Sequence, residues 1–89
     1  MTINILQGAS VQGSPAFDPQ TEQANVDKVI AWKNEDSTIH TATAQDKSFD
    51  SSMINPGDSY TISAKKIGAG EHSYACTIHP YMKGTLVIK

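Results

Sequence analysis

Cys76-Thr77-Ile78-His79-Pro80-Tyr81-Met82 is the stretch that decides how the rest of this chain is interpreted. It places a thiol, an imidazole and a thioether three residues apart, at positions 76, 79 and 82. Pro80 favours a turn after the histidine, and Gly84 precedes an apolar run that predicts a final strand. A second imidazole, His40, lies far upstream on a segment that also has the pattern of a strand.

The side chains in this pattern are of the kinds that bind copper. Thiolate, thioether and imidazole are soft or borderline ligands, and two histidines, a cysteine and a weak axial methionine form a blue-copper electron-transfer site. His40 is the only well-placed candidate for the fourth donor, because one short loop supplies the other three. The single cysteine excludes an internal disulfide and the common structural zinc sites, which use several thiolates.

Composition and charge exclude several functional classes. The chain has 89 residues and a net charge of −2, and all seven of its positive charges are lysines. Without arginine or a basic cluster, binding of nucleic acid is not expected. No apolar run approaches the length of a membrane span, and residues 1–5 lack the pattern of a signal peptide. We therefore expect either a cytoplasmic protein or a mature or excised domain.

Short apolar or alternating runs separated by Gly, Pro, Asn, Asp and Ser predict an all-β protein. Their spacing indicates one domain, residues 1–89, built as a sandwich or barrel of about six to eight strands. The clearest strand, at 26–33, places Lys28 beside Trp32 on the face expected to be buried. One helical turn is predicted at 64–67, and a loop with a short strand inside it is predicted at 8–23. The other strands are predicted at 2–7, 39–44, 59–64, 71–76 and 84–89.

The loop and its upstream partners resemble the C-terminal copper loop of the cupredoxins, a family of blue copper proteins. The two-residue gaps on both sides of His79 are similar to the short-loop amicyanin type, more than to the longer-loop plastocyanin and azurin types. The resemblance covers roughly residues 26–89. It includes Trp32 before His40, a Pro-Gly turn at 56–57 and a tyrosine two residues before Cys76. The loop with its upstream histidine is the specific part of this resemblance.

The resemblance implies a Greek-key β-sandwich that holds one type 1 copper ion, as Cu(I) or Cu(II). It assigns four metal ligands, the last of them weak and axial: His40, Cys76, His79 and Met82. It also implies a monomeric one-electron carrier, not an enzyme, that shuttles between larger redox proteins outside the cytoplasm, for example in the periplasm. His79 would be the electron port, within an apolar patch where partners dock transiently: Ile78, Pro80 and Tyr81.

Two positions depart from the family pattern. The residue after the first histidine is usually an asparagine that ties the two ligand loops together, and here it is the shorter Thr41. Because the neighbours of metal ligands tune affinity and potential, the rigidity of the site depends on what Thr41 contacts. The position four before the cysteine is usually aromatic. Here it is His72, which we expect to be a surface imidazole outside the metal site.

Two other functional classes remain as alternatives. A copper-binding or copper-delivery protein would use the same donors without transferring electrons, and it would release Cu(I) readily to a chelator. A cysteine-nucleophile enzyme would pair Cys76 with a histidine, and it needs an exposed thiolate and a group that orients the imidazole. No local signature supports such an enzyme, so electron transfer is the leading hypothesis.

Overall fold

A computed structural model describes residues 1–89, and nearly all of its regular structure is β-strand. The prediction of an all-β protein is confirmed. No helix has the length and hydropathy needed to cross a lipid bilayer. The elements are β1 Thr2–Ile5, β2 Phe17–Asp18, β3 Thr21–Ala24, β4 Val29–Asn34, β5 Thr43–Ala44, β6 Ser59–Ser63, α1 Ala64–Ile67, β7 Gly70–Ala75 and β8 Lys83–Ile88.

The eight strands form two four-stranded sheets packed as a sandwich. One sheet has the order β2-β1-β4-β6 and the other has the order β3-β8-β7-β5. β1 pairs with β4 and β3 pairs with β8 in parallel, whereas the other neighbours are antiparallel. From β4 to β7 the chain changes sheet at every connection. The expected β-sandwich is therefore confirmed.

The alternation of side chains along each strand explains which residues fill the sandwich. Ile30 and Trp32 of β4 are fully buried, and the residues beside them are exposed or half-buried. β8 has the same alternation, with Leu86 and Ile88 buried. The inward faces of the two sheets contribute to one cluster of 18 buried apolar residues. Trp32 therefore lies in the core, as predicted.

The strand predicted at 26–33 is wrong at its start. The residues before β4 form a turn, in which the Lys28 N–H donates to the Asn25 carbonyl oxygen at 3.1 Å. Lys28 is exposed in this turn and does not lie on the buried face. The alternation of apolar and polar residues before Val29 thus belongs to a turn, and extending the strand through it placed Lys28 wrongly on the buried face.

The strand predicted at 39–44 is too long, because only β5 at its end is regular strand. His40 instead makes an isolated antiparallel bridge with Ile54. The Ile54 N–H donates to the His40 carbonyl oxygen at 2.7 Å, and the His40 N–H donates to the Ile54 carbonyl oxygen at 3.2 Å. The segment that carries His40 is therefore held by backbone hydrogen bonds to Ile54, which lies in the connection between β5 and β6.

The other sequence expectations agree closely with the structure. The remaining predicted strands match β1, β6, β7 and β8 within two residues at each end, and the predicted helical turn is α1. The stretch predicted as a loop at 8–23 contains β2 and the beginning of β3.

An aromatic group joins the two sheets beneath the loop between β7 and β8. The Trp32 ring lies 5.0 Å from the Phe49 ring and 5.5 Å from the Tyr74 ring, measured between centroids. Burial raises the pKa of Tyr74 to about 12, so its phenol stays neutral. Tyr74 pairs with Gly84 of β8, and a Cβ on Gly84 would overlap the tyrosine ring. A glycine is therefore required where the ring crosses the neighbouring strand.

Gly84→Ala is expected to lower the free energy of unfolding by about 1–3 kcal/mol, because the Tyr74 ring must move to admit the methyl group. Urea denaturation of the metal-free protein measures this change. Ser73→Ala, on the exposed face of β7, is the matched control and should change stability by less than about 0.5 kcal/mol. An unchanged stability for Gly84→Ala would show that the close approach to Tyr74 carries no energetic weight.

His72 is buried on β7, so the expectation of a surface imidazole is wrong. Its Nε2–H donates to the Gly68 carbonyl oxygen at 2.9 Å. Its Nδ1 lies 2.7 Å from Asp46 Oδ2 and 3.1 Å from Ser48 Oγ. The imidazole thus links the loop after β5 to the turn before β7, and both of its nitrogens are used in doing so.

The contacts of Asp46 give this link a pH dependence. Hydrogen bonds from the Ser48 hydroxyl and N–H, and then from His72, lower the pKa of Asp46 from 3.8 to about 2. Because its pKa is lower in the folded state, the Asp46 carboxylate stabilises the fold fully above pH 3.8. This contribution is lost as the pH falls through the window toward about 2.

Asp46→Asn removes that titration. We expect the stability difference between the wild-type protein and this variant to shrink as the pH falls from about 4 to about 2. Denaturation of the two metal-free proteins across this range provides the measurement. A difference that does not change with pH would contradict the role given to the Asp46 carboxylate.

Candidate metal centre

The loop between β7 and β8 closes tightly and gathers its donor side chains at one end of the sandwich. Ala75 and Lys83 pair in the ladder at its base. The Cys76 N–H donates to the Met82 carbonyl oxygen at 3.1 Å, and the Met82 N–H donates to the His79 carbonyl oxygen at 2.9 Å. Because both ends of the loop are continuous with neighbouring paired strands, Cys76, His79 and Met82 are held close together in it.

His40 reaches the same place from the segment before β5. The Cys76 Sγ atom lies 3.8 Å from His40 Nδ1 and 3.8 Å from His79 Nδ1. The three donor atoms all lie within 4.8 Å of one another. The two imidazole rings are 5.1 Å apart at their centroids and tilted by 58°. The structure thus brings together the two histidines and the cysteine that the sequence pattern singled out.

The donor residues differ in their exposure. His40 and Cys76 are completely buried, and Met82 is buried in the core cluster beneath the loop. His79 alone is partly exposed. The sulfur of Cys76 is therefore shielded from water, while the His79 imidazole has an edge at the surface. Met82 is the loop residue predicted as the axial ligand, and that role stays a prediction.

Thr41 connects the two ligand-bearing segments in place of the asparagine usual in the family. Its N–H donates to Cys76 Sγ at 3.4 Å. Its hydroxyl oxygen accepts the Thr77 N–H at 2.9 Å and lies 3.2 Å from the Thr77 hydroxyl. The shorter side chain therefore still ties the residue after His40 to the residue after Cys76.

Asp36 is a site residue that the sequence reasoning missed. Its Oδ2 lies 2.7 Å from His40 Nε2, and both side chains are buried. An ionised carboxylate can only accept, so Nε2 carries a proton, and Nδ1 is the ring nitrogen that faces Cys76. The spacing of four residues between Asp36 and His40 was the only signal in the sequence, and Asp36 lay in a segment interpreted simply as a turn.

Hydrogen bonds hold the Asp36 carboxylate in its charged form. Burial alone would raise its pKa, but the contact with His40 and the backbone N–H groups of Gly8 and Ser37 outweigh burial, so the pKa of Asp36 lies below its usual value. The Gly8 N–H donates to Asp36 Oδ1 at 3.1 Å and the Ser37 N–H at 2.8 Å. The carboxylate is therefore a fixed acceptor for His40.

Asn34 completes this buried polar turn. Its Oδ1 accepts the Asp36 N–H at 3.0 Å, and its Nδ2 donates to the carbonyl oxygens of Thr38 and Ile54, each at 2.9 Å. Ile54 is also the bridge partner of His40. One amide side chain thus joins the turn that carries Asp36 to the segment that faces His40.

This geometry fits a single copper ion. With metal–nitrogen distances of about 2.0 Å and metal–sulfur distances of about 2.3 Å, donors separated by the observed 3.8 Å subtend about 120° at one ion. Two imidazoles and one thiolate are the strong donors of a blue-copper site, whereas structural zinc sites use more thiolates. The donor set and its spacing therefore support copper, as one ion.

A β-sandwich with a His–Cys–His cluster at one end is the architecture of the small blue copper proteins. The family model for the cupredoxin-like domain matches residues 11–88, which is most of the chain. This protein belongs to the cupredoxin-like family, and the resemblance seen in the sequence is confirmed.

Solved structures of copper proteins share the fold. A purple cupredoxin from Nitrosopumilus maritimus is similar over 99% of this chain and 98% of its own, with a TM-score of 0.88 and 25% identity. A Cu(I) amicyanin variant is similar over 100% of this chain and 81% of its own, with a TM-score of 0.76 and 18% identity. No curated protein sequence matches this chain.

A larger enzyme contains the same fold as one part. A copper-containing nitrite reductase from Thermus scotoductus SA-01 is similar over 100% of this chain but only 22% of its own, with a TM-score of 0.79 and 24% identity. At this identity the likeness shows the fold alone.

Asp36→Ala is expected to weaken copper binding by about 10–100-fold, because His40 loses the acceptor that fixes its tautomer and orientation. Competition with a chromogenic Cu(I) chelator measures the affinity. Glu35→Ala removes the exposed carboxylate next in the chain and is the matched control, which should bind like the wild-type protein. Wild-type affinity in Asp36→Ala would mean that His40 is oriented without the carboxylate.

Proposed function

We propose that this protein is a one-electron carrier with a mononuclear type 1 copper site. In this proposal His40, Cys76 and His79 are the strong ligands, and Met82 is the weak axial ligand. The observation that carries the proposal is the convergence of three donor atoms, from two segments far apart in the chain, within 4.8 Å of one another. A bound copper ion would supply the Cu(I)/Cu(II) couple, and the chain would hold the donors in place.

The hydrogen bonds around the donors favour electron transfer. Asp36 fixes the His40 ring, and Thr41 fixes the Cys76 sulfur and the residue after it. Ligands held in one geometry for both oxidation states keep reorganisation small, which allows fast transfer. Four protein donors would also leave no open position for a substrate, which supports a carrier more than an enzyme.

The burial of the donors distinguishes this proposal from copper delivery. A delivery protein passes its ion to the ligands of another molecule, so its own ligands must be reachable. His40 and Cys76 are completely buried, and only His79 has an exposed edge. An electron can leave through that imidazole, whereas the ion would have to leave through the closed loop.

The surface around His79 fits a docking patch. Ile78 and Tyr81 are 45% and 39% exposed, and Pro80 between them is exposed as well. The Tyr81 hydroxyl donates to the Ser10 carbonyl oxygen, which fixes this edge of the patch to the loop after β1. An apolar patch beside a redox ligand would receive partners in small and transient encounters.

The setting proposed for this carrier follows its family resemblance. Its donor and acceptor would be larger redox proteins located outside the cytoplasm, for example in the periplasm. The 89 residues would act as a single domain and as a monomer.

Adding one equivalent of Cu(II) tests the proposal. We expect an intense visible absorption band that disappears on reduction, and Cys76→Ser should abolish it because the thiolate is the source of the charge transfer. His72→Gln is the matched control and should keep the band, since His72 contacts Asp46, Ser48 and Gly68. A colourless Cu(II) complex would contradict the proposal. Voltammetry should show a reversible couple, and an irreversible couple with easy loss of copper to a chelator would support copper delivery instead.

A further inference from the structure

A series of hydrogen bonds leads from the metal-binding loop to a carboxylate on the surface. The Thr77 N–H donates to Thr41 Oγ1 at 2.9 Å, and the hydroxyls of Thr41 and Thr43 lie 3.2 Å apart. The Thr43 hydroxyl donates to Asp50 Oδ1 at 3.1 Å. We call these four residues, Thr77, Thr41, Thr43 and Asp50, the hydroxyl chain.

The carboxylate at the end of the hydroxyl chain sets the direction of every hydrogen bond in it. An ionised carboxylate only accepts, so the single hydroxyl proton of Thr43 goes to Asp50. Thr43 Oγ1 must then accept the hydroxyl proton of Thr41. With its own proton committed, Thr41 Oγ1 presents only lone pairs to Thr77, whose N–H and hydroxyl both point at it.

The position of Asp50 is itself fixed. Its Oδ1 also accepts the Ser52 N–H at 2.9 Å, and Thr43 and Asp50 form an isolated antiparallel bridge. Ser51, the residue after Asp50, makes a second hydrogen bond between the same two segments, because its Oγ accepts the Ala42 N–H at 2.7 Å. The carboxylate is thus a firm end point for the hydroxyl chain and not a mobile surface group.

The other end of the hydroxyl chain lies directly beside two of the metal-binding side chains. Thr41 follows His40 in the chain, and Thr77 follows Cys76. The Thr41 N–H also donates to Cys76 Sγ, so Thr41 is attached to the metal-binding loop through its backbone as well as through its side chain. A group that fixes the Thr41 side chain therefore helps to hold the Thr41 N–H, and with it the adjacent His40, near the sulfur.

We propose that Thr43 and Asp50 are positioning residues for the metal centre, acting through Thr41 without touching a ligand. They hold Thr41 as an acceptor for Thr77 and so keep the Thr41 N–H directed at the Cys76 sulfur. Hydrogen bonding around that sulfur tunes the reduction potential of a copper–thiolate site. The inference on the potential rests on the proposed function, whereas the ordering of the Thr77 N–H does not.

The first experiment uses the metal-free protein and measures amide hydrogen exchange by NMR. Thr43→Val and Asp50→Ala should each make exchange at the Thr77 N–H about tenfold faster, relative to the Glu35 N–H, which donates to Ile5 on the opposite sheet. The reference amide separates a local change from a general loss of stability. Thr43→Ser keeps the hydroxyl and should restore the wild-type ratio.

The controls decide between this proposal and simpler explanations. Asp58→Ala removes another exposed carboxylate and should leave the Thr77 ratio unchanged. An unchanged ratio in both Thr43→Val and Asp50→Ala would overturn the proposal. A change in Thr43→Ser as large as in Thr43→Val, or in Asp58→Ala as large as in Asp50→Ala, would also overturn it, because packing or net charge would then explain the effect.

The second experiment measures the reduction potential of the copper-loaded variants. Loosening Thr41 weakens the N–H contact to the sulfur, which leaves more electron density on the thiolate and favours Cu(II). Thr43→Val and Asp50→Ala should therefore lower the potential, and Thr43→Ser should not. An unchanged potential would overturn the role at the metal. Absence of a copper–thiolate band in the wild-type protein would count against the proposed function alone, because the exchange measurement is made without metal.

Discussion

The meeting of two distant segments at one sulfur atom is the constraint on which this structure depends. Cys76 Sγ accepts the N–H of Thr41 and lies 3.8 Å from each of two imidazole nitrogens. His40 and Cys76 are carried by different strand connections. The sandwich must therefore align those connections before any donor set exists. The two sheets bring these connections close together, and the hydrogen bonds of Thr41 with Cys76 and Thr77 then fix their relative position.

The polar side chains of Asn34, Asp36 and His40 can be buried at this end of the sandwich because each of them has hydrogen-bond partners. An unpaired buried donor or acceptor costs about 1–3 kcal/mol, so a histidine with a free N–H would weaken a domain of this size considerably. Asp36 accepts that N–H, and Asn34 holds the turn that carries Asp36. The same contacts that make burial tolerable also choose which imidazole nitrogen faces the sulfur, so stability and site geometry have a common origin here.

The sequence predicts the fold and the convergence of His40, Cys76 and His79 well, since both depend on patterns that are local or shared with a family. The spacing of Cys76, His79 and Met82 lies within one loop, and strand alternation is visible without knowledge of partners. What could not be predicted depends on contacts between distant residues. The roles of the Asp36 carboxylate and of the buried His72 are recognisable only when their partners are in place. Lys28 was assigned to a strand because the turn before β4 continues the alternation of that strand.

The strand ladder beneath the metal-binding loop allows the loop to change in length without a change in the sheets. Ala75 and Lys83 are paired neighbours, so β7 and β8 are already in register before the loop begins. Extra residues inserted between them would bulge outward from the end of the molecule and leave the sheets as they are. The loop can therefore be replaced independently of the sandwich, and related proteins could evolve loops of other lengths on the same fold.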